Sequence, residues 1–337
     1  MTKKYDTLVF ILRGQPFHNA HLEIVHRATA LCDNLIIVVG SANQPRTYKN
    51  PFTFDDRRQM IWEATRGLSL NIHIDFNIDT IYNDQAWAIR IQQIVSDHNN
   101  TGGKVGIIGH KKDGSSEYLN FFPQWELEEV ELIEPLNATD IRDLYFKRDA
   151  NMNFIKAVVP QTTFDFLNRF RSSFEYEQII REREHIVNYK KQFAGLAYPP
   201  VFVTTDAVVI QSGHILLVER KAEPGKGLLA LPGGFLNQNE RIIDGAIREL
   251  REETKIKVPV AVLRGNIKRI EVFDHPDRSA RGRTITHACL IELPEGELPK
   301  VKGADDAKTA KWYPIGEIDS SEMFEDHHQI IQDLVGI

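Results

Sequence analysis

Through its first half the chain alternates short apolar runs with longer amphipathic stretches, and no other feature restricts its fold as much. Thr7 to Leu12 is followed by Ala20 to Leu31 with helical periodicity, and then by the apolar run Leu35 to Val39. Apolar positions recurring every three to four residues mark a helix, whereas a short continuous apolar run marks a strand buried on both faces. The pattern continues with helix Asp55 to Thr65, strand Ile72 to Phe76, helix Gln85 to His98, and strands Val105 to Ile108 and Val130 to Ile133. Such repetition predicts a doubly wound α/β domain, a parallel sheet with helices on both faces. Sheets of this kind bind ligands beyond the carboxyl ends of their strands, where strand order reverses. The loops after Leu12, Val39 and Ile108 are therefore where chemistry is expected.

Between about Thr162 and Gln192 the pattern turns charged and helical, and it stops at Tyr198-Pro199-Pro200, because proline cannot continue a helix. Beyond lie the β-rich runs Val201 to Ile210, Ile215 to Glu219, Ile267 to Phe273 and Thr284 to Leu293, with one strong helix from about Glu240 to Glu253. That mixture predicts an α+β domain. A chain of 337 residues, at roughly 100 to 200 residues per domain, divides as residues 1–165, a helical linker at 166–197, and residues 198–337. Lys+Arg 41 against Asp+Glu 47 gives 41 − 47 = −6, so no basic excess invites a polynucleotide. Only Cys32 and Cys289 occur, too few for a disulfide framework or a thiolate metal site, which points to a reducing compartment. Lys3-Lys4 and the run Leu8 to Leu12 imitate a signal peptide, but the run stops at Arg13 without a cleavage site. With no stretch of about 20 apolar residues there is no membrane span, and a cytoplasmic protein is expected.

Directly after the first strand stands Arg13-Gly14-Gln15-Pro16-Phe17-His18-Asn19-Ala20-His21. A helix beginning here presents free N–H groups and the positive end of its dipole, an anion site to which His18 and His21 add imidazole N–H groups. Gly14 lets the backbone approach a phosphate. These residues resemble the His-x-x-His signature of doubly wound nucleotidyltransferases, and Arg-x-Gln-Pro-Phe-His-x-x-His is similar to the archaeal-type nicotinamide mononucleotide (NMN) adenylyltransferases. Asn50-Pro51-Phe52-Thr53 with Arg57, Trp87, Gly109-His110-Lys111-Lys112-Asp113 with Ser115-Ser116, and Asn137-Ala138-Thr139-Asp140-Ile141-Arg142 follow in that family's order. The resemblance covers about residues 5 to 160. It implies that Arg13, Gly14, His18, His21, Lys49, Thr139 and Arg142 hold the ATP phosphates, and that Trp87 stacks on nicotinamide. It further implies that the NMN phosphate attacks the ATP α-phosphorus, a transfer that needs positioning and cations rather than a covalent nucleophile. Leu12, Gly14, Ala20 and Asn137 depart from the family's usual Gly, Phe, Gly and Ser, and none of these changes removes a charge.

The most specific string is Gly234, then Glu240, then Arg248-Glu249-Leu250-Arg251-Glu252-Glu253-Thr254-Lys255-Ile256. Glu249, Glu252 and Glu253, at i, i+3 and i+4, place three like charges on one helix face, a repulsion that a divalent cation would turn into binding. The string resembles the Nudix box, Gly-x5-Glu-x7-Arg-Glu-U-x-Glu-Glu-x-Gly-U with U aliphatic, at every position but the last glycine, here Lys255. That glycine ends the helix in a left-handed turn, where lysine costs about 1 kcal/mol. The resemblance implies Mg²⁺ (or Mn²⁺) on Glu249, Glu252 and Glu253, Arg248 bracing the loop, and Glu240 supporting the metal or the helix. Asp274-His275-Pro276 with Arg278, Arg281 and Arg283 is similar to ADP-ribose-cleaving members, and implies that Arg281 and Arg283 contact ADP-ribose.

The order of domains is similar to the bifunctional NMN adenylyltransferase/Nudix hydrolases. A nucleotidyltransferase domain would make NAD from NMN and ATP, and a Nudix domain would hydrolyse ADP-ribose to AMP and ribose 5-phosphate. Alternatives are a nucleotidyltransferase for another phosphomonoester with a Nudix domain of different specificity, and a Nudix-like ligand-sensing module. Oligomeric state, mutual domain orientation, channelling and the Nudix base stay open. Gly225-Lys226-Gly227-Leu228-Leu229-Ala230 satisfies a dinucleotide-binding pattern, but Leu231-Pro232-Gly233 follows where a helix should begin. Asp326-His327-His328 reads as a charged face of a C-terminal helix rather than a metal site.

Overall fold

The computed structural model describes residues 3–99, 102–110, 114–131 and 137–336, with the side chains of 114–117 excepted. The chain divides into two compact units, Met1–Ile180 and Arg181–Ile337.

In the first unit the order is β1 (Tyr5–Leu12), α1 (Asn19–Leu31), β2 (Cys32–Val39), α2 (Phe54–Thr65), β3 (Asn71–Phe76), α3 (Asp84–His98) and β4 (Val105–Gly109). A 3₁₀ turn at Gly114–Phe121, β5 (Glu126–Glu129), α4 (Ala138–Tyr145), α5 (Met152–Val158), α6 (Gln161–Phe170) and the start of α7 (Phe174–Lys191) complete it. The strands form a wholly parallel sheet in the order β3-β2-β1-β4-β5. Side chains alternate across such a sheet. Leu8, Phe10 and Leu12 therefore join one core with Leu35, Ile37, Val39 and the helices α1, α2 and α4, while Val9 and Ile11 join another with Ile36, Val38 and α3. The order reverses between β1 and β4, so the loops after Leu12 and Gly109 open at the switch point.

β5 lies at Glu126–Glu129, upstream of the expected strand at 130–133, and Ile133 falls outside the described residues. β5 is an edge strand, and an edge needs few apolar side chains. The expected linker span 166–197 is divided between the units: Leu167, Tyr176, Ile179 and Ile180 are buried in the first unit's core, and from Arg181 the chain belongs to the second.

The second unit contains the remainder of α7, then β6 (Phe202–Gln211), β7 (His214–Arg220), β8 (Leu229–Ala230), β9 (Gly233–Phe235), α8 (Ile242–Thr254) and α9 (Val260–Gly265). β10 (Ile267–Phe273), β11 (Thr284–Glu292), β12 (Ala307–Pro314) and α10 (His327–Val335) follow. Its sheet runs β10-β11-β6-β7-β12, with β8 on β7 and β9 on β6; β6 and β11 are parallel and the other pairs antiparallel. α8 packs Ile247 and Leu250 on Ala207, Val209 and Leu216 of that sheet. This is the mixed α+β arrangement read from the second half.

Candidate active sites

The first site is built at the end of β1. Gly14 adopts φ +61, a left-handed conformation in which glycine is unstrained, so its departure from phenylalanine suits the loop it occupies. Gln15 pins that loop: its amide donates to the Phe52 carbonyl and accepts from the Phe52 N–H, both at 2.9 Å. Arg57, fully buried, donates to the carbonyls of Arg13, Gly40, Ser41 and Thr53, tying β1, β2 and α2 together beneath the site. It is a brace, and its hydrogen-bonding capacity is directed at backbone.

His18 precedes α1 and its ring stacks on that of His21 at 3.7 Å. The His18 N–H donates to His21 Nδ1 at 3.3 Å, which puts the His21 proton on Nε2. Burial, and secondarily the His18 charge, hold His21 well below the usual histidine pKa, so it is a neutral N–H donor. Arg13 is exposed and bonds Asn50 Oδ1 at 2.5 Å; Lys49, on the same connection, is exposed. At the start of α4, Asn137 caps the helix by accepting from the N–H groups of Thr139 and Asp140, so the replacement of serine keeps the cap. Arg142, buried, donates to the Gln15 carbonyl at 2.8 Å and to Thr139 Oγ1 at 3.0 Å, while its Nε has no partner. Burial, then the nearby Arg13, lower it to about 10. The fold thus brings Arg13, His18, His21, Thr139 and Arg142 around one loop.

Trp87 lies in the first turn of α3, half-buried, edge-on to Tyr118 at 5.9 Å and near Phe122 at 6.2 Å. Its packing is that of a core residue at a rim. His110 follows β4 and its Nδ1 meets the Val130 carbonyl at 2.8 Å; Lys111, Lys112 and Asp113 lie outside the described residues, and the side chains of Ser115 and Ser116 are not described.

The second site is built on α8 against β9. A Cβ on Gly233 would run into the Thr205 carbonyl and the Asp206 backbone, so that position requires glycine, whereas one on Gly234 would first meet the Glu249 carboxylate, 2.5 Å from Oε1. Arg248 grips Glu240 with two bonds, at 2.7 and 3.0 Å, and reaches Glu249 at 2.8 Å, Glu252 at 3.0 Å and the Phe235 carbonyl at 3.2 Å. Its hold draws Glu240 down to about 2. Glu253 accepts from the Gly233 N–H at 3.1 Å, and burial pushes it up to about 8. Among the described residues no three His, Cys, Asp or Glu side chains are gathered into a coordination cluster, since Arg248 holds Glu249 and Glu252. The donors nevertheless suit a hard divalent cation: all are carboxylate oxygens, and Gly234 leaves the space before Glu249 clear. Holding one requires Arg248 to keep Glu240 and release the other two.

Lys255 ends α8 at φ +50, the left-handed turn expected of that position. Of the three arginines, Arg278 forms a buried two-bond pair with Asp326, and Arg283 pairs with Asp274. Arg281 lies over the Phe235 ring at 5.2 Å. Asp326 and His327 are buried, not on a charged solvent face: His327 Nδ1 accepts from the Leu231 N–H at 2.9 Å, and burial holds it well below the usual range. α10 packs its start beneath the β8–β9 turn, so this tripeptide does not form the charged face expected of it. Gly225 and Gly227 take positive φ in the turn between β7 and β8, where no helix follows.

Sequence reading missed Arg220, Asp206, Glu182 and Glu325. Arg220 stacks over Phe324 at 3.9 Å, and its charge is felt by Glu253, Arg281 and Glu325. Asp206 accepts from Thr286 Oγ1 and is pushed up to about 6 by burial. Glu325, at φ +46, accepts from the Ala280 N–H at 3.0 Å and is raised by burial. They lie on four separate segments and share no spacing a motif could reveal.

Residues 14–206 match the cytidylyltransferase-like family and residues 201–334 the NUDIX domain family. Over 178 residues the chain is 40% identical to the nicotinamide/nicotinic acid mononucleotide adenylyltransferase of Acinetobacter baylyi, 52% of this chain and 92% of that protein. Over 167 residues it is 33% identical to the ADP-ribose pyrophosphatase of Methanocaldococcus jannaschii, 50% of this chain and 88% of that one. The crystal structure of a bifunctional NMN adenylyltransferase/ADP ribose pyrophosphatase from Francisella tularensis matches with a TM-score of 0.93 and 37% identity, covering 98% of this chain and 99% of that one. Its complex with AMP and manganese matches at 0.91 and 36%, over the same shares. The chain, a cytidylyltransferase-like domain followed by a Nudix domain, belongs to the bifunctional NMN adenylyltransferase/ADP-ribose pyrophosphatase family.

Proposed function

We propose that the protein makes NAD and pyrophosphate from NMN and ATP in its first unit, and hydrolyses ADP-ribose to AMP and ribose 5-phosphate in its second. The observation that carries this reading is that one chain holds both a five-residue set of cationic and N–H donors at a β1–α1 loop and a complete carboxylate face on α8 under Gly234. In the first reaction an NMN phosphate oxygen bonds the ATP α-phosphorus as the bond to the pyrophosphate oxygen breaks. Arg13, His18, His21, Lys49, Thr139 and Arg142 hold the ATP phosphates and meet the charge gathering on the leaving group. His21 serves as a neutral donor, and Trp87 offers its face to nicotinamide.

In the second reaction a water oxygen bonds one phosphorus of ADP-ribose while the P–O–P link breaks. Glu249, Glu252 and Glu253 would hold a divalent cation, Mg²⁺ in the cell, which supplies polarisation of the pyrophosphate and a lowered pKa for water. Arg281 and Arg220 face the diphosphate; Arg283 joins them by leaving Asp274. Arg248 and Glu240 position the carboxylates. The nucleotidyltransferase unit and the Nudix unit act on small nucleotides in the cytoplasm, without nucleic acid. No helix of the described residues is long and apolar enough to cross a membrane.

Incubation with Mg²⁺ and either NMN plus ATP or ADP-ribose, with products resolved by chromatography, tests both halves. NAD with pyrophosphate and AMP with ribose 5-phosphate are expected. ADP-ribose bound but left intact would instead favour a sensing module. Trp87→Ala should raise the KM for NMN far more than that for ATP, and equal effects would remove Trp87 from the nicotinamide site.

A further inference from the structure

The turn that leads into α10 gathers cations of the second unit around one imidazole. Phe324 carries Arg220 over its ring at 3.9 Å, Glu325 accepts from the Ala280 N–H at 3.0 Å, and Asp326 holds Arg278 by two bonds of 2.9 Å. The segment from Arg278 to Arg281 is thereby fastened to Glu325 and Asp326, and His327 follows them directly. Its ring meets that of Phe324 edge-on at 5.4 Å and is buried, with 6% of the residue exposed. Burial, and then the charges of Arg278, Arg220 and Arg281, keep the ring neutral. Nδ1 accepts from the Leu231 N–H at 2.9 Å, so the ring proton stands on Nε2. That Nε2–H has no hydrogen-bond partner among the described residues. Leu231 opens the Pro232-Gly233-Gly234 run whose last two residues lie against Asp206 and Glu249. His327 thus touches the loop of the carboxylate site with one nitrogen and keeps a donor in hand on the other.

We infer that the His327 Nε2–H binds a diphosphate oxygen of the second unit's substrate, beside Arg220 and Arg281, while Nδ1 holds the loop at Leu231. The inference rests on the reading of that unit as an ADP-ribose hydrolase. A neutral donor suits the place. A fourth cation among three arginines would be repelled, whereas a neutral imidazole adds a directed bond to an oxyanion without adding charge. His327 transfers no proton; it is a binding residue, and the attacking water gives its proton elsewhere.

Two substitutions divide the ring between its nitrogens. Asparagine puts an acceptor near the place of Nδ1 but does not reach that of Nε2. Glutamine carries a donor to the place of Nε2 and gives up the acceptor. Both lose packing on Phe324, so each is compared with the other. The full chain is assayed for ADP-ribose hydrolysis with Mg²⁺, titrated with ADP-ribose in EDTA, and melted. His327→Asn should raise KM and lower both kcat/KM and the titrated affinity about tenfold or more. His327→Gln should keep most of both and melt about 2–4 °C below His327→Asn, because the buried Leu231 N–H loses its acceptor. A histidine that only positions the loop gives the opposite order of activity, with glutamine the more damaging change. That order, equal losses in the two variants, or unchanged affinity overturns the inference. Wild type that binds ADP-ribose without cleaving it removes the hydrolase reading and leaves the titrations to decide about His327; wild type that does not bind it overturns both.

Discussion

At the residue scale the first site depends on the way burial prepares Arg142. Its guanidinium is fastened to the Gln15 carbonyl and Thr139, with its Nε–H unpartnered. A planar fork held in this way cannot be replaced by an ammonium of equal charge. Arg142→Lys should lower kcat/KM for ATP by about 10²-fold, with ADP-ribose hydrolysis unchanged, as measured on one preparation. Glu182 shows the opposite use of burial. Removal from water, and then the Glu223 charge, push it up to about 8 from 4.5, although the Gly225 N–H donates to it. The folded chain therefore keeps a proton that the unfolded chain releases between pH 4.5 and about 8. Stability contributed by this group is present at low pH and is lost as pH rises through that window, with a slope of at most about 1.4 kcal/mol per pH unit. Glu182→Gln should flatten the fall in Tm between pH 5 and 8, leaving the smaller slope from Asp206 and Glu253; an unchanged profile would show that Glu182 is ionised in the folded protein.

At the scale of elements, each site is a strand end or strand edge set against a helix, and the closeness of approach does the selecting. β9 runs so near α8 that a methyl group on Gly234 would take the space of the Glu249 carboxylate. Gly234→Ala should push Glu249 out of line and lower ADP-ribose turnover by about 10²-fold or more, while NAD synthesis by the same sample stays intact. The cap on α4 works similarly: Asn137 fixes where the helix begins, and so where Thr139 and Arg142 point. Of these elements α8 and the start of α4 were legible, because box spacing and apolar period are local signals. β5 and β12 were not, since an edge strand such as Glu126–Glu129 or Ala307–Pro314 needs only one covered face and carries charge elsewhere.

For the whole molecule, each site draws its described residues from one unit, which predicts separable losses. His18→Ala should abolish NAD synthesis and spare ADP-ribose hydrolysis, and Glu253→Gln should do the reverse; loss of both activities in either variant would show that the units do not work independently. The sequence by itself determined the two fold classes, the switch-point loop with His18 and His21, and the α8 carboxylate face, because periodicity and short-range spacing encode them directly. Tertiary structure alone decided the rest. Arg57 became a brace, Asp326 and His327 went inside, and Arg220, Asp206, Glu182 and Glu325 gathered behind the Nudix box. Burial and charge pairing depend on which distant segments the sheet brings together, and chain spacing carries no record of that.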